Sequence, residues 1–368
     1  MGRIADVLAE AGHNVTSLIP ELNPEIFDGT TRSSIIRIPQ DPDAGAIVNW
    51  MFNGPQFDTF TQSSMSWLNF ISGSYFGQML IHQCDALLND DAELKRLQDL
   101  VRGNPGVVCD SLAGIYPLVK AKSFISLSTT PVMESAASAL GIPHAYSHNP
   151  SWGLSSLNPH SLLERLWNVI DDFTQQYVLI KGRSMFDAHF ADRYGKDFPS
   201  MEHIVSRSVF HFTNSEPLLD FARPLLTKVI NLGGLGAQEP MPLDETFTRL
   251  PNVTFIWKYE EPEDEFATSE AAAVENLRLV KWTPQNDLLA DHRLTLFISH
   301  GGAGSMFECA QRGVPGVFIP LFGDQPRNAG MMQHAGLALV YDKFELTNDE
   351  KLALTVKQVL DDPGSFCF

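Results

Sequence analysis

The residues best suited to chemistry lie between positions 282 and 325. Trp282 and Gln285 come first, then the run Ser299, His300, Gly301, Gly302, Ala303, Gly304, Ser305 and Glu308, then Asp324 and Gln325 behind Pro320. An indole can stack on a flat base, and an amide or carboxylate can bind ring edges and ribose hydroxyls. A glycine-rich turn opening a helix offers free backbone N–H groups and the positive end of the helix dipole to phosphate oxygens. Together these groups suit a ligand with a base, a ribose, a diphosphate and a sugar.

Each residue also has a plainer reading. Trp282 suits a core tryptophan, Gln285 a solvated amide, and Glu308 a charge near a helix N-terminus. Asp324 with Gln325 suits a helix cap before Pro326. The loop is not a P-loop, because no Gly-Lys-Ser/Thr ending follows. It is not Gly-x-Gly-x-x-Gly either, because Phe307 stands where the third glycine after Gly302 and Gly304 belongs. What favours a single site is that all these residues fall at consecutive strand ends.

The elements that would position them follow from periodicity. Beyond Asn231 the chain alternates strand-like runs (Val253–Lys258, Leu277–Lys281, Leu294–Ser299, Gly316–Pro320, Ala338–Val340) with helical runs (Gly304–Gln311, Pro326–His334, Asp349–Leu360). That alternation predicts a doubly wound parallel sheet, in which ligands bind beyond the carboxyl ends of the strands. Further upstream, Ile4, Val7, Leu8 and Ala11 repeat at helical spacing ahead of Gly12, and Val15–Ile19 reads as a strand. Gly106–Cys109, Phe124–Leu127 and Ser208–Phe212 read as strands, and Leu162–Tyr194 as mostly helical. Between Ala46 and Cys84 the only formal charge is Asp58 among many aromatics, a pattern of buried packing more than of a ligand surface.

A chain of 368 residues with 44% apolar and 19% charged residues is globular and long enough for two domains. The turn-rich stretch after Asn231 divides it into residues 1–232 and 233–368. A net charge of −18 argues against nucleic acid and anionic membrane as partners, and it means that a diphosphate is not held by a basic cluster. The four cysteines, Cys84, Cys109, Cys309 and Cys367, show no paired spacing, so neither a zinc site nor a disulfide framework is indicated. No signal-peptide pattern and no membrane-spanning apolar run is read in the chain.

The region from Trp282 to Asn328 resembles the signature of the UDP-glycosyltransferases in its spacing of Trp282, His300, Ser305, Glu308, Asp324 and Gln325. The flanking Gly313–Gly316 and Pro320–Asn328 resemble the animal branch; Gly304 departs from the asparagine common there. Weaker similarity covers Met1–Thr16, Ser128–Pro131, Ala139–Pro143 and Asn214–Pro217. The resemblance implies an α/β protein of the GT-B fold, two Rossmann-like parallel-sheet domains facing across a cleft. Residues 1–232 then bind the acceptor and 233–368 the UDP-sugar. The implied reaction is an inverting transfer of a hexosyl or glucuronosyl group from UDP-sugar to a small lipophilic acceptor, without metal or resident cofactor.

In that scheme Trp282 stacks on uracil, Gln285 binds base or ribose, Glu308 holds ribose hydroxyls, and His300, Gly302, Gly304 and Ser305 hold the diphosphate. Asp324 and Gln325 take the sugar hydroxyls. The family's base histidine sits in a loop immediately ahead of the helix that begins here at Met1, and His13 lies at that helix's far end. Little transferase activity is therefore expected of this polypeptide. Asp110, after the Gly106–Cys109 strand, is the candidate to orient such a histidine or, equally, a helix cap. The family also places a strand, a Ser-containing loop and a helix before Val253, where this chain has only Pro242–Pro251. It implies the lumenal face of the endoplasmic reticulum membrane. The alternatives are a catalytically silent UDP-sugar-binding or regulatory relative, and an unrelated Rossmann-type nucleotide binder.

Overall fold

The computed structural model describes residues 2–22, 28–53, 67–103, 106–109, 114–151, 161–235, 254–259, 261, 263–346 and 348–361. Every described strand pair is parallel. In the first half β1 (Thr16–Pro20) pairs with β2 (Ser34–Ile38), and β3 (Gly106–Cys109), β4 (Ser123–Ser128), β5 (Phe210–Thr213) and β6 (Val229–Asn231) lie side by side in that order. In the second half β7 (Phe255–Lys258) pairs with β8 (Leu277–Val280), while β9 (Phe297–Ser299) and β11 (Ala338–Val340) flank β10 (Gly316–Phe318).

Helices fill the crossovers that parallel strands require. They are α1 (Gly2–Glu10), α2 (Pro42–Asn53), α3 (Trp67–Leu88), α4 (Asp91–Gly103), α5 (Ile115–Leu118), α6 (Glu134–Leu140), α7 (Leu162–Tyr194) and α8 (Met201–Ser206). The second half adds α9 (Gln285–Ala290), α10 (Ala303–Arg312), α11 (Gln325–His334) and α12 (Asp349–Asp361). Among the described residues no helix is long and apolar enough to cross a membrane.

The expected strands and helices are present with shifted ends. The run from Leu294 forms ladder only from Phe297, because the Leu294 N–H turns back to the Asp291 carbonyl. Two strands had not been anticipated, β2 and β6. Among the described residues each is held by one neighbour, β2 along β1 and β6 along β5, so tertiary pairing rather than local pattern makes them strands. The side chains of residues 51–76, most of the aromatic stretch, lie outside the described residues, as does Asp110.

In β10, which has a neighbour on each side, Val317 and Phe318 are inaccessible. The strands β7 and β9 each have one ladder partner among the described residues, and Phe255, Trp257 and Ile298 on them are exposed. The largest apolar cluster joins Met306, Phe307, Phe318, Met331, Met332 and Leu337 to Leu219 and Phe221 of the first half. The helix α11 is buried from Gln325 to Met332, so it forms part of the seam between the halves.

The long helix α7 starts at Ser161, whose hydroxyl accepts the Glu164 N–H at 3.3 Å. Its amphipathicity is reversed over the first half of its length. Asn168, Asp171 and Asp172 face inward and are buried, while Leu162, Leu163, Leu166, Trp167, Phe173 and Tyr177 face out and are exposed. The inward groups have partners. Asn168 donates to the Tyr146 and Asn149 carbonyls at 2.8 and 2.9 Å and accepts the Ser151 N–H at 2.7 Å, and Asp171 accepts the Ser151 hydroxyl. Under the first sheet, buried His211 shares a 2.8 Å hydrogen bond through Nδ1 with the Ser126 hydroxyl, which donates to Ser208. Burial, assisted by Lys228, holds the His211 pKa down to about 4, so the ring is neutral near pH 7.

Candidate functional site

The strand β9 ends at Ser299 and the chain turns through His300, Gly301 and Gly302 into α10. Gly301 has φ +84°, in the left-handed region, and a Cβ there would lie 3.3 Å from the Gln325 carbonyl. Gly302 precedes the helix with extended backbone, and a Cβ on it would meet His300 Nε2 at 2.7 Å. Gly301 is therefore required by its backbone conformation, whereas a side chain at Gly302 would need only the His300 ring to turn aside. Gly304 is different: a Cβ there would meet nothing within 4 Å. The helix start, with its unpaired N–H groups, opens on that side.

Beside this turn, three of the residues singled out by the sequence meet. Gln285, at the start of α9, donates through Nε2 to Glu308 Oε2 at 2.7 Å and to Ser305 Oγ at 3.1 Å. Ser305 and Glu308 lie on the first turns of α10, so their spacing puts both on the helix face toward Gln285. Trp282 is 73% exposed at the end of β8, with Lys258 Nζ 5.5 Å from its ring centre. Only three peptide units separate it from Gln285, so the two Cα atoms lie within about 11 Å of each other. Lys258, at the end of β7, was not anticipated as a neighbour of the indole. Its place over the ring depends on the ladder that β7 makes with β8, which the sequence does not show.

The other end of the loop faces α11. The carboxylate of Asp324 accepts from Asn328 Nδ2 at 2.7 Å and makes no backbone cap, and Asn328 also donates to the Gly301 carbonyl at 3.0 Å. One amide thus ties the turn after β9 to the turn after β10. Gln325 is buried; its Oε1 accepts the N–H groups of Leu321 and Phe322 at 2.8 and 3.1 Å and so shapes the loop that presents Asp324. His300 is open at its surface but crowded by protein, and this desolvation lowers its pKa, with Asp324 pulling the other way. Asn328 and Arg327 were missed by sequence reasoning; their position directly behind Asp324, Gln325 and Pro326 was the only available signal.

The arrangement is a parallel-sheet edge carrying a solvent-open helix N-terminus, flanked on one side by an indole and a hydrogen-bonded amide–carboxylate pair and on the other by a carboxylate beside an imidazole. Residues 243–365 match the profile of the family described as UDP-glucoronosyl and UDP-glucosyl transferase. The C-terminal part of the chain thus resembles the UDP-glycosyltransferases. A putative UDP-glucuronosyltransferase of Caenorhabditis elegans, ugt-48, is 26% identical over 411 aligned residues, covering 98% of this chain and 76% of the relative. Human UDP-glucuronosyltransferase 1A1 is 24% identical, covering 96% of this chain and 72% of its own length.

Among solved structures, the kitacinnamycin glycotransferase superposes with a TM-score of 0.57 at 15% identity, covering 99% of this chain and 87% of that one. Glycosyltransferase VinC, solved in complex with DTDP, gives 0.56 at 15% identity and covers 99% of this chain and 90% of its own. At that identity the likeness bears on fold alone, and the fold of this chain is GT-B.

Proposed function

We propose that residues 233–368 form a UDP-sugar site and that the chain's role is transfer of a hexosyl or glucuronosyl group to a small lipophilic acceptor bound by residues 1–232, with inversion. The observation carrying this reading is the Gln285–Glu308–Ser305 cluster at the mouth of α10. Uracil stacks on Trp282 using the ring face not covered by Lys258, or displaces that lysine. The ribose hydroxyls donate to Glu308 and take over the place of the Gln285 amide, which is then free to bind the base or the ribose. The diphosphate sits over Gly302, Gly304 and Ser305, with His300 as a further donor.

This site needs no basic cluster. The α10 dipole and N–H groups face the diphosphate, and they act most strongly as UDP leaves and gathers charge, which favours the transition state over the ground state. Asp324 receives sugar hydroxyls, and Gln325 acts by forming the loop that aims it, with its Nε2 as the remaining donor. The UDP-sugar is a co-substrate, so no resident cofactor enters the reading. The group that deprotonates the acceptor is not among the residues described above, and Asp110 remains its proposed orienting partner.

The test is calorimetric titration of the chain with UDP, a UDP-sugar and NAD. Micromolar UDP binding that weakens by about 100-fold in Glu308→Ala and also weakens in His300→Ala is the expected result. Binding of NAD in preference to UDP would overturn it.

A further inference from the structure

The residue that most needs an explanation in α11 is Arg327. It is only 1% exposed, although a guanidinium leaves water at high cost unless it is fully paired. Its Nη2 donates to Asp220 Oδ1 at 2.7 Å and to Asn149 Oδ1 at 3.2 Å, its Nη1 approaches Met331 Sδ at 3.1 Å, and its carbon centre lies 5.5 Å from the Phe221 ring centre. Three of these four partners come from the first half of the chain.

Both polar acceptors are themselves held. Asp220 takes the Ser215 hydroxyl at 2.8 Å through its other oxygen, and the Asn149 carbonyl accepts from buried Asn168 of α7. Arg327 therefore does not grip a mobile surface group. It grips a fixed cradle, and the element it fixes is the first turn of α11. The neighbouring Asn328 hands that position on to Asp324 and to the Gly301 carbonyl.

Resting on the donor-site reading above, we propose that Arg327 is a positioning residue: clamped on Asn149 and Asp220, it sets where Asp324 and the Gln325 loop meet the sugar of a nucleotide-sugar. The base and ribose part of the site, built by Gln285, Ser305 and Glu308 on α9 and α10, does not pass through this clamp, and the diphosphate turn meets it through the Asn328 bond to the Gly301 carbonyl, so UDP is expected to lose less than UDP-glucose. The two parts of the ligand thus report separately.

The experiment titrates the unmodified chain, Arg327→Met, Asp220→Asn, the double variant and Asn149→Ala with UDP and with UDP-glucose. Methionine keeps the stem against Phe221 and removes the N–H donors; Asn149→Ala removes one acceptor and tests the clamp should Arg327→Met fail to fold. Expected are a loss of about tenfold in UDP-glucose affinity for Arg327→Met, about threefold for Asn149→Ala, and UDP affinity within about twofold for both. The double variant is expected to be no worse than Arg327→Met, because the two groups act as one unit. Parallel loss for UDP and UDP-glucose, or unchanged affinity for both in folded variants, overturns the positioning role alone. An unmodified chain that binds neither ligand overturns the donor-site reading, and this role with it.

Discussion

Replacing Glu308 is the sharpest probe of the site. In the free protein its carboxylate accepts one charge-assisted hydrogen bond, from Gln285 at 2.7 Å, and a bound ribose would offer two hydroxyls to the same group. A hydrogen bond to a charged partner contributes about 1.5–3 kcal/mol net. Binding exchanges one such bond for two and frees the Gln285 amide for the ligand, so the carboxylate supports roughly 3 kcal/mol of UDP affinity. Glu308→Gln keeps the shape and one acceptor but loses the charge, and Glu308→Ala loses both. At 1.4 kcal/mol per decade we expect Kd for UDP to rise about 10-fold in the glutamine variant and about 100-fold in the alanine variant. Calorimetry gives both constants, and circular dichroism checks the fold. A change below about threefold in a folded Glu308→Ala protein would refute the assignment of this carboxylate to the ribose.

Three further expectations follow from the geometry. Gly301→Ala must place a side chain at φ +84° against the Gln325 carbonyl and should lower stability by about 1–2 kcal/mol in urea unfolding, whereas Gly304→Ala, with open space and helical backbone, should raise it by up to about 1 kcal/mol while weakening UDP. His211 stays neutral down to about pH 4, whereas an unfolded-chain histidine takes up a proton near its ordinary pKa of about 6.5. The unfolded state therefore binds more protons in that window, so stability falls as pH drops from 6.5 to 4, by roughly 3 kcal/mol at most. His211→Gln should flatten that slope in urea midpoints measured across the window; an unchanged slope would rule the histidine out as its source. Because Trp282 is 73% exposed, UDP stacking should shift and quench its fluorescence, and the UDP-induced change should vanish in Trp282→Phe.

Much of this was legible in the sequence where local physics decides. The range Leu162–Tyr194 could be read as helix because a capping serine and a long run of helix formers agree on it. That Gln285, Ser305 and Glu308 would lie near one glycine-rich turn was legible from their places at consecutive strand ends, although such a turn by itself also serves many other proteins. The pairing was not. That the Gln285 amide rests on Glu308 depends on how α9 docks against α10, and the role of Arg327 depends on Asn149 and Asp220, each more than a hundred residues away. The strand β6 was missed for the same reason: three residues become a strand only because β5 lies beside them.

The inverted face of α7 has a bearing on how this molecule behaves in a test tube. A band of oily side chains running about 27 Å along the helix from Leu162 to Ile180 meets water directly, on a molecule whose −18 charge drives its copies apart. Added salt shortens the range of that repulsion to a few ångströms and leaves the attraction between oily surfaces intact or stronger. Concentrated salt is thus expected to clump this protein and dilute buffer to disperse it, the reverse of what a chain joined through exposed ion pairs would do.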